Sequence, residues 1–133
     1  MEEVIDQLRE SSLQCASYLE LPSEDDLVVI EEEILLPIPR EMRKFLLEVS
    51  DVIYGSLEPV TVADPGSHTH LPEVTAVAWA NGLPRHLIVL CQCGDDYYCV
   101  MPEGEVKFWS NGDFSEDTWQ NVWEWAETIW LNS

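Results

Sequence analysis

The sequence predicts an α+β domain: N-terminal helices, then an antiparallel sheet of about four to six strands, then a Trp-rich C-terminal helix. Three observations carry that expectation. Apolar residues recur at helical spacing in the first third of the chain and again at its end. Short apolar runs separated by Gly-Asp and Glu-Gly steps fill the region between them. No internal repeat or low-complexity segment interrupts this order. With 133 residues and 46% hydrophobic content, the chain fits one domain, residues 1–133, that buries roughly two-thirds of its extended-chain surface.

Residues Glu2 to Leu21 read as the first helix. Ile5, Leu8, Cys15, Ala16 and Leu19 fall near one face, and Glu2, Glu3 and Asp6 suit the positive end of its dipole. Pro22-Ser23 ends it. Ser23 then offers an N-cap to a short second helix through Leu27, Ile30 and Ile34. Pro39 fits the first turn of a third helix. There Met42, Phe45, Leu46 and Val49 follow the i, i+3, i+4, i+7 spacing that docks a helix on a core. Arg40, Arg43 and Lys44 project from it, half of the six basic residues in the chain, with nearby acids as their expected partners.

Leu57 to Ala63 alternates weakly and stops at Asp64-Pro65-Gly66, which reads as a strand and a turn. Glu73 to Ala80 fits a helix or a strand, ended by Asn81-Gly82. Leu87 to Cys91 is a continuous apolar run, the pattern of a central strand covered on both faces. Gly94-Asp95 turns into Tyr97–Met101, and Glu103-Gly104 turns into Val106–Trp109, giving an antiparallel meander. The last helix is expected behind Asp117 as N-cap, with Gln120 completing a capping-box pattern. Trp119, Val122, Trp123, Ala126, Ile129 and Trp130 make its buried stripe. Trp125 falls off that stripe and is expected at the surface.

Charge limits the function. There are 26 Asp and Glu against 6 Lys and Arg, a formal net charge of −20. The six Trp and the apolar content exclude a disordered acidic tail, so the charge is an acidic skin over an ordinary core. Such a skin repels nucleic acid and anionic membrane. It attracts basic protein surfaces over about one Debye length, roughly 8 Å at physiological salt. The alternative use of the charge is solubility alone. No run approaches the roughly 20 apolar residues of a membrane span. Met1-Glu2-Glu3 lacks the cationic start of a secretory signal, so a cytoplasmic location is expected. The four cysteines are then reduced thiols. Cys91 and Cys93 share one strand face and do not bridge.

Catalytic patterns are missing. No serine sits in a Gly-x-Ser-x-Gly elbow, no phosphate loop or basic stripe is present, and no cysteine has an evident histidine partner. With so many acids, adjacent pairs such as Asp95-Asp96 and Glu116-Asp117 select no general acid or base. His68, His70, Cys91 and Cys93 supply four zinc-ligand types. Their spacing departs from that of structural zinc sites, in which two to four residues separate paired cysteines. The reading is therefore of no metal, no cofactor and no enzyme, with Cys91, Cys93 and Cys99 as small core hydrophobes.

The order of short motifs carries a resemblance. Ile38-Pro39, Met42 and Phe45-Leu46, then Gly94-Asp95 with Tyr97 and Tyr98, then Val106 and Trp109 resemble the pattern of the SUKH superfamily. These are the Smi/Knr-type cell-wall-assembly-regulator domains. The likeness spans Leu27 to Trp109. The chain departs from the family at Ser50-Asp51, where Asn-Gly is frequent, and at Ser110-Asn111, where a histidine is common. The resemblance implies an α+β domain that works by binding. Bacterial members are commonly immunity proteins that neutralise a cognate toxin, often a nuclease, and fungal relatives regulate cell-wall assembly. It carries over no catalytic residue.

The expected function is thus a non-enzymatic module that occludes a basic protein, such as a cognate toxin domain, acting as a monomer or weak homodimer. The rival is a stand-alone regulatory or scaffold domain, for example in cell-envelope control. Candidate contacts are Asp95, Asp96, Asp113, Glu116, Asp117 and Trp125, chosen because they fall in expected turns or off the buried stripe. From Phe108 to Ser133 there are five acids and no Lys or Arg.

Overall fold

A computed structural model of the chain describes residues 1–12 and 21–133. Helix α1 covers Glu2–Ser11 and buries Val4, Ile5 and Leu8. The later part of the expected first helix, with Cys15, Ala16 and Leu19, lies outside the described residues. Helix α2 covers Glu24–Ile34. Ser23 caps it as the sequence implies, and Asp26 reciprocates to complete a capping box. The Asp26 N–H donates to Ser23 Oγ at 3.2 Å and the Ser23 N–H donates to the Asp26 carboxylate at 2.9 Å. Helix α3 covers Arg40–Val49 and buries Met42, Phe45, Leu46 and Val49. Pro39 caps it from outside its first turn.

The segment left open between helix and strand is helix α4, Leu71–Ala80, with Pro72 in its first turn. The expected strand from Leu57 to Ala63 does not form; only isolated bridges do, among them Pro59 to Cys91 and Thr61 to His70. Pro59 has no N–H to donate, so a regular ladder stops there.

Strands β1 (Ile88–Cys93), β2 (Asp96–Val100), β3 (Val106–Ser110) and β4 (Asp113–Trp119) form one antiparallel sheet in the order β1-β2-β3-β4. Strand β1 is thus at an edge and not at the centre. Its residues Ile88 to Cys91 are nevertheless buried. The Val60 N–H donates to the Leu90 carbonyl at 2.8 Å along its outer side. From α4, the Thr75 hydroxyl accepts the Val89 N–H at 3.3 Å and the Trp79 indole donates to the Leu87 carbonyl at 2.9 Å.

The fourth strand corrects the reading of the C-terminal region. Ser115, Glu116, Asp117 and Trp119 belong to β4, so Asp117 is not a helix cap. The hairpin before it is set by Asn111-Gly112, whose φ values of 54° and 81° fit the primed turn that matches strand twist. Helix α5, Val122–Trp125, starts later, behind Asn121. The Asn121 Oδ1 accepts the N–H groups of Trp123 and Glu124, each at 3.0 Å.

Helix α5 continues as a π-helical stretch, Ala126–Trp130. This explains why Trp125 is fully buried rather than exposed. In an α-helix, residues five apart diverge by about 140°, which is what placed Trp125 off the stripe. The i→i+5 bonding of the π turn, with the Leu131 N–H on the Ala126 carbonyl at 2.9 Å, returns them toward one face. Trp125 and Trp130 lie 6.3 Å apart between centroids. Phe45 contacts Trp123, Trp125 and Trp130 at 5.7, 6.4 and 5.7 Å. The single domain is therefore α+β, with α4 packed along β1 and the helical C-terminus packed between α3 and β4.

Phe45→Ala empties the centre of this aromatic cluster. It should lower unfolding stability by about 3–5 kcal/mol, seen as a lower urea midpoint at unchanged slope.

Candidate partner-binding site

A meander sends successive turns to opposite ends of the sheet. The β1–β2 turn at Gly94-Asp95 and the β3–β4 turn at Asn111-Gly112 therefore share one end. Between them lies a shallow recess of about 330 Å³ lined by Asp95, Asp96, Asn81, Asn111, Tyr97 and Trp109. Asp113 follows directly as the partner of Ser110 at the mouth of the second hairpin. Its carboxylate accepts the Phe114 N–H at 2.9 Å. The structure thus brings Asp95, Asp96 and Asp113 to one end of the sheet. Glu116 and Asp117 stand apart, exposed along β4. Among the described residues β4 pairs only with β3, so its other side is a free edge. Acids there oppose pairing between copies of the chain.

Trp125, proposed as the exposed aromatic contact, is buried, and the aromatics left partly open beside it were not among the proposed contacts. Tyr98, Phe108 and Trp119 are half-buried on the face of β2–β4 that meets the C-terminal helix. Tyr98 lies 4.8 Å from Phe108, 5.6 Å from Trp119 and 5.4 Å from Trp125. Trp125 is therefore the buried support of a partly open aromatic face. Burial, the Cys93 and Cys91 thiols and the Asp117 carboxylate together push up the ionisation of the Tyr98 hydroxyl, which stays a neutral donor at pH 7. The signal that would have found this face is alternation along β2 and β3, once β4 was read as a strand.

Three of the six cations are ion-paired on the helices. Arg43 bridges Glu24 and Glu31 at 2.8 Å each, Lys44 meets Glu2 at 3.1 Å, and Arg9 meets Asp51 at 2.7 Å. Those carboxylates hold the Arg9 and Arg43 guanidinium groups above their ordinary ionisation range. Arg85 sits 4.7 Å over the Trp79 ring. Arg40 makes no ion pair among the described residues. Lys107 stands on β3 opposite Thr118 of β4, and among the described residues the carboxylates of the sheet end and of β4 make no ion pair.

The four potential zinc ligands do not converge. His68 is held by Glu58 at 2.8 Å, His70 is buried at the start of α4, Cys91 is buried and Cys93 is exposed. Among the described residues no three His, Cys, Asp or Glu side chains form a group able to hold a metal. Cys93 and His68 line one recess of about 420 Å³. Also among the described residues, no helix is long and apolar enough to cross a membrane.

These features define a compact α+β domain with an unpaired acidic sheet end and a partly open aromatic face. The chain belongs to the SUKH superfamily: the family SUKH_5, described as SMI1-KNR4 cell-wall, matches residues 1–131. It is similar to a protein from Pseudomonas syringae pv. tomato known from a crystal structure, at 56% identity, with 100% of each chain covered and a TM-score of 0.97. No curated protein matches it.

Burial pushes the Cys91 and Cys99 thiols up to about 12. In a Cys15→Ser background, a thiol reagent at pH 8 should modify Cys93 readily and the other two only on unfolding. A thiol raised in the fold stabilises it fully below its unfolded value near 9. That contribution should fall as pH rises from about 9 toward 12, and Cys99→Ala should flatten the decline of the urea midpoint with pH.

Proposed function

We propose that the chain is a non-enzymatic acidic binding module, an immunity protein that neutralises a cognate toxin by covering its basic surface. The supporting observation is the uncompensated sheet end of Asp95, Asp96 and Asp113, in a chain whose paired cations sit on its helices. A nuclease toxin carries cationic groups for phosphate, so an acidic protein competes for the same surface. Long-range attraction steers the encounter, and Glu116 and Asp117 extend the contact along β4. The module acts in the cytoplasm, as a monomer or weak homodimer, without a cofactor. Trp125 has no part in the contact because it is buried.

A second reading draws on the family's description as SMI1-KNR4 cell-wall. In it the same acidic end binds a basic partner in cell-envelope control, and no toxin is involved.

The test is to search the coding neighbourhood for a toxin domain, co-express the chain with any found there, and follow survival and complex formation. Protection should be complete. Association should slow steeply with salt, and Asp95→Asn with Asp96→Asn and Asp113→Asn should lower the association rate by about tenfold or more at an unchanged melting temperature. An active toxin in the presence of the folded chain defeats the immunity reading. A neighbourhood without any toxin gene favours the regulatory one.

A further inference from the structure

We infer that Tyr98, Phe108 and Trp119, beside Asp117, form an arginine-binding surface that takes the guanidinium group of a basic partner's side chain. The inference rests on the basic-partner reading above and names the chemistry by which that partner is gripped.

Three large aromatic side chains left half-buried on one sheet face need a reason. Each ring costs hydration when it stays in water, and their packing is not loose. Tyr98 is fixed by Phe108, Trp119 and Trp125 at 4.8, 5.6 and 5.4 Å. The face is therefore preorganised, and a partner side chain settling on it orders little else. Trp and Tyr rings on a rigid support are the groups that dominate protein contacts.

The surrounding charge selects the occupant. Asp117 precedes Trp119 by two positions on β4 and so shares its face, and it lies close enough to Tyr98 to raise the ionisation of the hydroxyl. Its backbone is held by the Asp117 N–H on Ser115 Oγ at 3.2 Å. An apolar partner would strip water from this carboxylate without pairing it, at a cost. A cation pairs with it. No Lys or Arg occurs from Phe108 to Ser133 to fill that role internally. Lys107 pairs with Cys99 and Thr118, on the opposite face from Phe108.

Arginine suits the face better than lysine. Its guanidinium is planar and weakly hydrated, lies flat on a ring, and still presents N–H donors to a carboxylate at its edge. Among the described residues the same stacking already occurs in Arg85 over Trp79 at 4.7 Å. The net charge of −20 draws basic segments without distinguishing the two cations; the aromatic face distinguishes them.

The experiment titrates the intact chain with an arginine hexapeptide and, separately, a lysine hexapeptide at physiological salt. Affinity and the indole N–H signal of Trp119 are both followed by NMR. The arginine peptide should bind about two- to fivefold more tightly for each engaged side chain and should shift the Trp119 signal. Trp119→Leu should abolish the preference and leave the salt-sensitive binding common to both peptides. Asp117→Asn, a surface change that spares the rings, should weaken the arginine peptide more than the lysine peptide. Equal affinities with an unmoved Trp119 signal overturn the arginine surface and leave the acidic module standing. Failure of both peptides to bind overturns the arginine surface and the basic-partner reading together.

Discussion

The packing of Phe45 against three tryptophans is the contact on which the rest of the molecule depends. It joins α3 to the C-terminal helix and, through Trp125 and Tyr98, to the sheet. Aromatic rings bury on the order of 150–250 Å² each, so this cluster buries a large block of apolar surface between layers. It works only because the helix widens to a π turn after Trp125. With α-helical spacing, Trp125 and Trp130 would diverge and one of them would face water. The indole N–H of Trp125 finds no partner among the described residues. A buried unpaired donor costs about 1–3 kcal/mol, which the packing around the ring offsets.

Charge is distributed by the same architecture. Helices α1 and α3 carry Arg9, Arg43 and Lys44 against acids of α1, α2 and the end of α3. The acids of the sheet end and of β4 make no ion pair among the described residues, and Lys107 is the one cation on the strands. An even spread of cations would leave a uniformly mild surface; confining the paired ones to the helices leaves a strong negative field at one end of the sheet. The aromatic face rests on Trp125, and its outer strand, β4, carries Asp117. The packing of the core and the polarity of the surface are therefore not independent.

Much of the fold was legible. The Ser23 cap, the 42-45-46-49 stripe of α3 and the meander from Leu87 to Trp109 each rest on local rules that no distant contact overrode. The fourth strand was missed although Asn111-Gly112 is a strong hairpin signal. The helical spacing of Trp119 with Trp123, Ala126 and Trp130 outweighed it. The Leu57–Ala63 strand failed because Pro59 cannot donate to a ladder. The acidic contacts were readable as charges, but only the alternation of meander turns brings Asp95, Asp96 and Asp113 together and leaves Glu116 and Asp117 along an edge.

By itself the sequence determined the α+β class, the single domain, the SUKH likeness and the acidic character, because composition, caps and short-range periodicity act within a few residues of where they are written. Tertiary structure alone decided that Trp125 is buried and that Trp119 is only partly so. The fate of Trp125 turns on hydrogen bonding that shifts from i+4 to i+5, and that shift is selected by the fit of its ring against Phe45 and Tyr98, residues distant in the chain. The exposure of Tyr98, Phe108 and Trp119 follows from how far the C-terminal helix extends over the sheet, a length that no local pattern encodes.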